Sequence, residues 1–141
     1  MSIYDDAIVK LQTHVLALSD VTVKSAPNHP TEGLPQLPAS FVYIGNGTAT
    51  AESADTVRIM PTLIVDVHFS PNIFKHAFGN INALIPELCK RLAGDPTLGD
   101  TVDTIIFPIN YSVFPYEWNQ TFTIVARFEI PVKFRKEPIT L

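Results

Sequence analysis

Three aspartates lie within nine residues and form the first group of side chains that could do chemistry. Asp95, Asp100 and Asp103 follow a helix-like segment, and no basic residue lies among them. Carboxylates at this spacing could bind a metal ion or act as a general acid. Aspartate is also favoured in turns, because its side chain bonds to nearby backbone amides. Asp95-Pro96 and Leu98-Gly99 mark two turns here, so the pattern favours a structural role.

The four histidines and the single cysteine show no spacing typical of a metal site. His14 and His76 fall on helical patterns, His68 on a strand and His29 in a loop. No two of them are four residues apart on a helix or near a cysteine at zinc spacing. Cys89 cannot form an intrachain disulfide, and the sequence gives it no activating partner. We therefore predict no metal, no cofactor and no catalytic residue.

The charge balance excludes some classes of partner. The net charge is -4, which argues against a dedicated nucleic-acid binder. The last strand ends in a basic group, Lys133, Arg135 and Lys136, whose sparse charge better fits an acidic neighbour than DNA. Charged residues make up only 17%, below the usual level of about 25%, which leaves neutral surface for subunit contacts. No apolar run approaches the roughly 20 residues of a membrane span.

The first half of the chain predicts one helix, a short strand candidate over 21–23 and two further strands. Apolar residues at helical spacing indicate a helix over about 3–18, followed by a proline-punctuated loop. A short strand is expected over 40–44, with a turn at Gly45-Asn46-Gly47 and a mobile polar stretch over 48–55. From Val57 to Phe69 the pattern alternates, but Met60 and Ile64 make its second face less polar than a solvated face should be.

The second half predicts a long helix and a hairpin. Ser70-Pro71 is a typical helix start, Gly94 a typical end, and Pro86 predicts a kink or break. Alternating strands follow over 105–113 and 118–134, joined at 115–117, and the second should turn its even-numbered side chains to the helices. Together these elements predict one domain over 1–141 with an α+β fold. Its sheet should have four to five strands, mostly antiparallel or mixed, with two helices packed on one face.

Several segments resemble the tail terminator, or tail completion, proteins of long-tailed bacteriophages. The similarity lies in Leu84-Ile-Pro-Glu-Leu88, in the run Arg91-Leu-Ala-Gly-Asp-Pro-Thr-Leu-Gly-Asp-Thr-Val-Asp-Thr-Ile105, and at the start in Ile3-Tyr-Asp-Asp-Ala-Ile8. Leu37-Pro-Ala39 followed by Tyr43-Ile-Gly-Asn-Gly47 extends it. These segments are spread over most of the chain, and their motifs are structural rather than catalytic.

The resemblance implies a structural protein and no enzyme. Such proteins form a ring, typically of six subunits, that caps the finished tail tube, stops its polymerisation and joins it to the head connector. The implied partners are further copies of the chain, the tail tube protein and the head–tail connector. The implied location is the virion at the head–tail junction, after assembly in the bacterial cytoplasm. Specific nucleic-acid recognition and membrane binding are not expected. Two alternatives remain: another head–tail connector or head-completion protein, and a small-ligand-binding or enzymatic α+β domain.

Candidate subunit or tube contacts follow from charge and from the polar stretch. We expect that the acidic and basic groups, if they lie too far apart to meet within one subunit, pair between copies of the ring. We also expect the 45–56 segment to be dispensable for folding and to order against a partner. The candidate residues are Asp95, Asp100, Asp103, Lys133, Arg135, Lys136, Asn46, Gly47 and Thr48.

Overall fold

The computed structural model describes residues 3–27, 36–72, 74–118, 120–134 and 137–138. Within these ranges the chain forms two helices and a mostly antiparallel sheet, which confirms the predicted α+β fold. The elements in chain order are α1 Ile3–Leu16, β1 Ala39–Ala51, β2 Thr56–Phe69, α2 Phe74–Ala93, β3 Thr104–Ile105, β4 Asn110–Trp118, β5 Thr121–Lys133 and β6 Glu137–Pro138.

The sheet is built around β2 and β5. β1 pairs with β2, β2 pairs with β5, and the far edge of β5 is shared by β4 and the two-residue β3. The two-residue β6 pairs with the start of β2. All of these pairings are antiparallel, so short hairpins suffice to connect β1 with β2 and β4 with β5.

One face of the sheet and both helices form the main core. Odd-numbered residues of β2 and even-numbered residues of β5 lie in one apolar cluster with the stripes of both helices, as predicted. Register explains the match, because Val65 lies opposite Phe128 and Val67 opposite Ala126. Phe128 is completely buried in this layer. Five buried side chains of α2 cover the sheet, namely Ala77, Ile81, Leu84, Leu88 and Leu92.

The strand candidate over 21–23 is wrong, because no strand precedes β1 in the described residues. The predicted short strand over 40–44 is wrong in its length, and the predicted mobile stretch is largely strand. β1 continues to Ala51, and a bulge between Ile44 and Gly47 absorbs the change of register. At Gly47 the backbone approaches Pro61 so closely that a Cβ would lie 2.5 Å from the Pro61 Cα. This glycine therefore permits strand contact rather than a turn, and the chain reverses later, between Ala51 and Thr56.

The proline signals predicted several boundaries incorrectly. α2 begins at Phe74 rather than at Ser70-Pro71. It runs as one helix through Pro86, so a break is excluded, while the predicted kink stays a prediction. Pro86 is exposed, so the helix carbonyl that lacks its partner can reach water. The segment 115–117, predicted as a long hairpin loop, is part of β4, which extends through Pro115 as far as Trp118. The chain therefore reverses between Trp118 and Thr121. Pro115 is tolerated because β4 is at the edge of the described sheet.

Candidate interaction surfaces

The second face of the sheet carries a partly buried network of charged and aromatic side chains. Arg127 on β5 donates two hydrogen bonds to the carboxylate of Asp66 on β2, at 2.8 and 2.9 Å. The Tyr43 hydroxyl donates to the same carboxylate at 2.7 Å, and Arg127 donates to the Tyr43 oxygen at 3.2 Å. The guanidinium also lies 4.9 Å from the ring centre of Phe114 on β4. Four strands thus meet in one network.

This network shifts the ionisation of its members. Burial raises the pKa of Tyr43 to about 12, and the hydrogen bond to Asp66 adds to the effect. The hydrogen bonds to Asp66 raise the pKa of Arg127 above its usual value. Asp66 is almost fully buried while Arg127 keeps about a third of its side chain exposed. The carboxylate therefore depends on Arg127 and Tyr43 for its stabilisation.

His68 lies beside this network and is buried among aromatic side chains. Its Nδ1 is 2.9 Å from the Thr123 hydroxyl, and its ring meets Phe41 and Tyr116 edge-on. Burial lowers the pKa of His68 to about 4, with Arg127 adding to this effect and the Asp66 carboxylate opposing it. The residue is only 4% exposed, so protonation would place a charge inside an aromatic cluster.

The odd-numbered side of β5, which faces away from the helices, is also buried over part of its length. Val125 is 1% exposed and Thr123 is fully buried. Val125 lies opposite His68 on one side and Phe114 on the other, so large side chains flank it laterally. The apolar Met60 and Ile64 were the available sequence signal for this second buried face.

The aspartate cluster is a turn, as the sequence favoured. Asp95 accepts a hydrogen bond from the Gly99 amide at 2.9 Å and pairs with His14 at 2.8 Å. Partial burial raises the pKa of Asp95, but these two bonds outweigh it and lower the pKa overall. Leu98, Gly99 and Asp100 all have positive φ, and the Asp100 amide donates to the Thr97 hydroxyl. Among the described residues, no cluster of His, Cys, Asp or Glu could hold a metal ion.

The condition that the acidic and basic groups lie too far apart to meet within one subunit does not hold for Asp103 and Lys133. The Asp103 amide donates to the Lys133 carbonyl at 2.7 Å, because β3 pairs with the end of β5. The Asp103 carboxylate accepts from Arg58 at 3.0 Å within the same chain. Arg135 and Lys136 lie outside the described residues. Asp103 therefore gives no structural support to charge pairing between copies, and the interface role of the acidic and basic groups stays a prediction.

The polar candidate contacts lie on the outer half of the β1–β2 hairpin. Asn46, Gly47 and Thr48 are exposed there, which leaves their proposed role in contacts open as a prediction. The hairpin is also anchored to the rest of the subunit. Arg58 donates to Glu52 at 2.7 Å, to Asp103 and to the Phe134 carbonyl, so the 45–56 segment is tied to the 103 turn.

An exposed apolar groove is the surface that sequence reasoning missed. It lies between the start of α2 and the β4–β5 hairpin, and it encloses about 460 Å³. We call it the aromatic groove; it is lined by Pro71, Phe74, Pro115, Phe122, Thr123 and Ile124. Phe74 is 64% exposed and Phe122 is 57% exposed, and Phe78 stacks on Phe74 at 6.3 Å. Their sequence signal was present as helical and alternating apolar patterns, which do not reveal exposure.

A second exposed apolar site lies at the other end of β5. The segment Ile106–Pro108, which we call the 106–108 loop, follows β3, and the Ile106 amide donates to the Pro131 carbonyl at 2.8 Å. Ile106 and Phe107 are both well exposed, the latter at 49%.

The single cysteine, Cys89, is half-buried on α2, and burial raises the pKa of its thiol. This agrees with a packing role for the cysteine.

No protein-family model matches this chain, and no curated protein is significantly similar to it. None of the helices in the described part of the chain is long and apolar enough to span a membrane.

Proposed function

We propose that this chain is a tail terminator. Copies of it form a ring, six in the family it resembles, that seats on the end of a finished tail tube. The ring stops addition of further tube subunits and offers its other face to the head connector. The mechanism is steric, so it requires defined surfaces and a rigid subunit rather than reactive groups.

The observation that carries this proposal is the exposed aromatic surface around the aromatic groove. Phe74, Phe78 and Phe122 leave large rings in solvent although the core of the subunit is complete without them. Isolated exposed apolar residues are ordinary, but contiguous exposed rings mark sites of protein–protein contact. A ring-forming subunit needs such surfaces at its junctions.

The run that resembles tail terminators has an architectural role consistent with this proposal. After α2 ends, its turn returns the chain to the sheet: the Ile105 amide donates to the Pro96 carbonyl at 2.7 Å. Three side chains of this run, Leu98, Val102 and Ile105, are buried in the core. The motif thus connects helix and sheet and fixes where the exposed 106–108 loop begins.

Electron microscopy of the purified protein with polymerising tail tube protein tests the proposal. We expect rings at one end of each tube and tubes that stop growing when the protein is added. The control variant Leu16→Asp, which changes an exposed leucine on α1 that lines neither apolar site, should act on tubes like the wild type. Tubes that grow to the same length with and without wild-type protein, and that carry no ring, would overturn the proposal.

One observation favours a second candidate function, namely binding of a small apolar ligand in the aromatic groove. Its volume falls within the usual 300–1,000 Å³ of ligand sites, and none of the described side chains that line it is ionisable. A monomer whose melting temperature rises with an apolar compound, and that ignores tail tubes, would support this alternative. Binding to the connector without any effect on tube growth would instead indicate another head–tail component.

A further inference from the structure

The two exposed apolar sites lie at opposite ends of one strand. Thr123 and Ile124 of β5 line the aromatic groove, whereas Pro131 of β5 holds the 106–108 loop. Eight residues of strand at about 3.3 Å each separate them by roughly 26 Å. The loop therefore cannot enter the groove of its own subunit.

We propose that the aromatic groove of one copy receives Ile106 and Phe107 from the 106–108 loop of the next copy. The inference rests on the proposed ring function and names its junction. A groove and a projection at different places on one chain make a head-to-tail contact, in which every copy uses one of each. Contacts of this type close into rings when the rotation between copies allows it.

The chemistry of the two sites matches. Among the described residues, neither the groove lining nor the 106–108 loop carries an ionisable side chain. A charged segment entering this groove would lose its hydration with no counter-charge to replace it. An uncharged apolar loop loses nothing of that kind, and it removes both its own exposed surface and that of the groove from water.

The area also fits a junction between copies. Phe74, Phe78 and Phe122 leave roughly 300 Å² of ring surface exposed, taking about 200 Å² for each phenylalanine. A stable interface buries about 800 Å² on each partner, with a dry apolar centre and a polar rim. The groove therefore has the size of an interface centre, and the neighbouring exposed face of β4, with Tyr111 and Val113, extends it.

Two single variants and their mixture test the proposal in sedimentation velocity and native mass spectrometry of the full chain. Phe122→Asp places a charge in the groove, and Phe107→Asp places a charge in the loop. Each variant therefore keeps only one of the two contact sites intact. We expect wild type to form a closed oligomer and each variant to remain monomeric with an unchanged melting temperature, because both residues are on the surface. Mixed one to one, the variants should form dimers and nothing larger, since an intact groove then meets an intact loop only once per pair.

Serine variants keep the test valid if an aspartate variant does not fold. Phe122→Ser and Phe107→Ser add no charge and should weaken assembly at least tenfold. Leu16→Asp, at a residue 56% exposed on α1, should assemble like wild type.

Four results would overturn the inference: a wild type that stays monomeric at high micromolar concentration, a groove or loop variant that assembles normally, a variant that dimerises by itself, and a mixture without dimers. A groove variant that still forms rings but no longer binds tubes would assign the groove to the tube protein. Rings that form as expected but leave tube growth unaffected would refute the proposed function while retaining the junction.

Discussion

Protonation of His68 should make the stability of the subunit fall between neutral and mildly acidic pH. The pKa of this histidine is lowered from 6.5 to about 4 in the folded chain, mainly by burial. The unfolded chain binds the proton as the pH falls below about 6.5, while the folded chain binds it only near pH 4. Between these values the unfolded state holds more protons, so acidification favours unfolding.

The magnitude follows from the pKa difference. At 1.36 kcal/mol per pH unit, a pKa lowered to about 4 sets an upper limit of about 3.4 kcal/mol. Water that relaxes around the ring reduces this, so we expect a loss of about 2 kcal/mol between pH 7 and pH 4. The loss should be complete near pH 4, below which carboxylates dominate.

The assay is urea unfolding across this pH range, for wild type and His68→Asn. Asparagine can keep the hydrogen bond to the Thr123 hydroxyl but cannot take up the proton. Contributions of the His14–Asp95 pair and of all other groups are common to both proteins and cancel in the difference. Dilute protein avoids a contribution from assembly.

The stability of wild type relative to His68→Asn should fall by about 2 kcal/mol from pH 7 to pH 4. His76→Asn, which replaces an exposed histidine on α2, should follow the wild-type curve. Parallel curves for wild type and His68→Asn would refute the reasoning, because His68 would then titrate alike in both states.

Three further predictions concern the two faces of the sheet and the bulge. In chemical denaturation, Phe128→Ala should lower the free energy of unfolding by about 3–5 kcal/mol, because Phe128 is buried. Val125→Ala, on the other face, should lower it by about 2 kcal/mol, because Val125 is also buried. A negligible loss for Val125→Ala would contradict the second buried face. Arg127→Ala should lower the free energy of unfolding by about 3 kcal/mol or more, because it leaves the buried Asp66 carboxylate unpaired. Asp66→Asn should cost less, because it leaves no buried charge unpaired, and equal losses would argue against this asymmetry. Gly47→Ala should lower the free energy of unfolding by about 1–3 kcal/mol, because the added Cβ collides with Pro61. It should also shift the amide signals of β1 and β2 in NMR spectra. Unchanged spectra would exclude the close approach of Gly47 to Pro61.

The helix layer and the main core were predictable because both follow local periodicity. The 3.6-residue pattern of α2 and the two-residue pattern of β5 each fix which side chains share a face. Two such apolar faces must meet, so the burial of Phe128 followed from the pattern alone. The turn role of Asp95 was predictable for a similar reason, since Asp-Pro and Leu-Gly act over a few residues.

The second face was not predictable, because its partners come together only through strand register. Asp66 and Arg127 look like ordinary solvated strand residues until the β2–β5 pairing places them opposite each other. Gly47 was interpreted as a turn residue because its real constraint comes from Pro61 on the partner strand. The aromatic groove combines α2 with the β4–β5 hairpin, so its existence depends on the packing of distant elements.

The distribution of charge within the subunit bears on how copies would meet. Asp66 is paired with Arg127, Asp95 with His14, and Asp103 with Arg58, so several prominent charges already have partners inside the chain. Transferring such a charge to a neighbouring subunit would break one pair to make another, with little net gain. The aromatic groove and the 106–108 loop have no such competing commitment within the subunit, because roughly 26 Å of strand separates them. Assembly driven by these apolar surfaces should therefore persist at high salt, whereas assembly through exposed ion pairs would weaken as salt screens them.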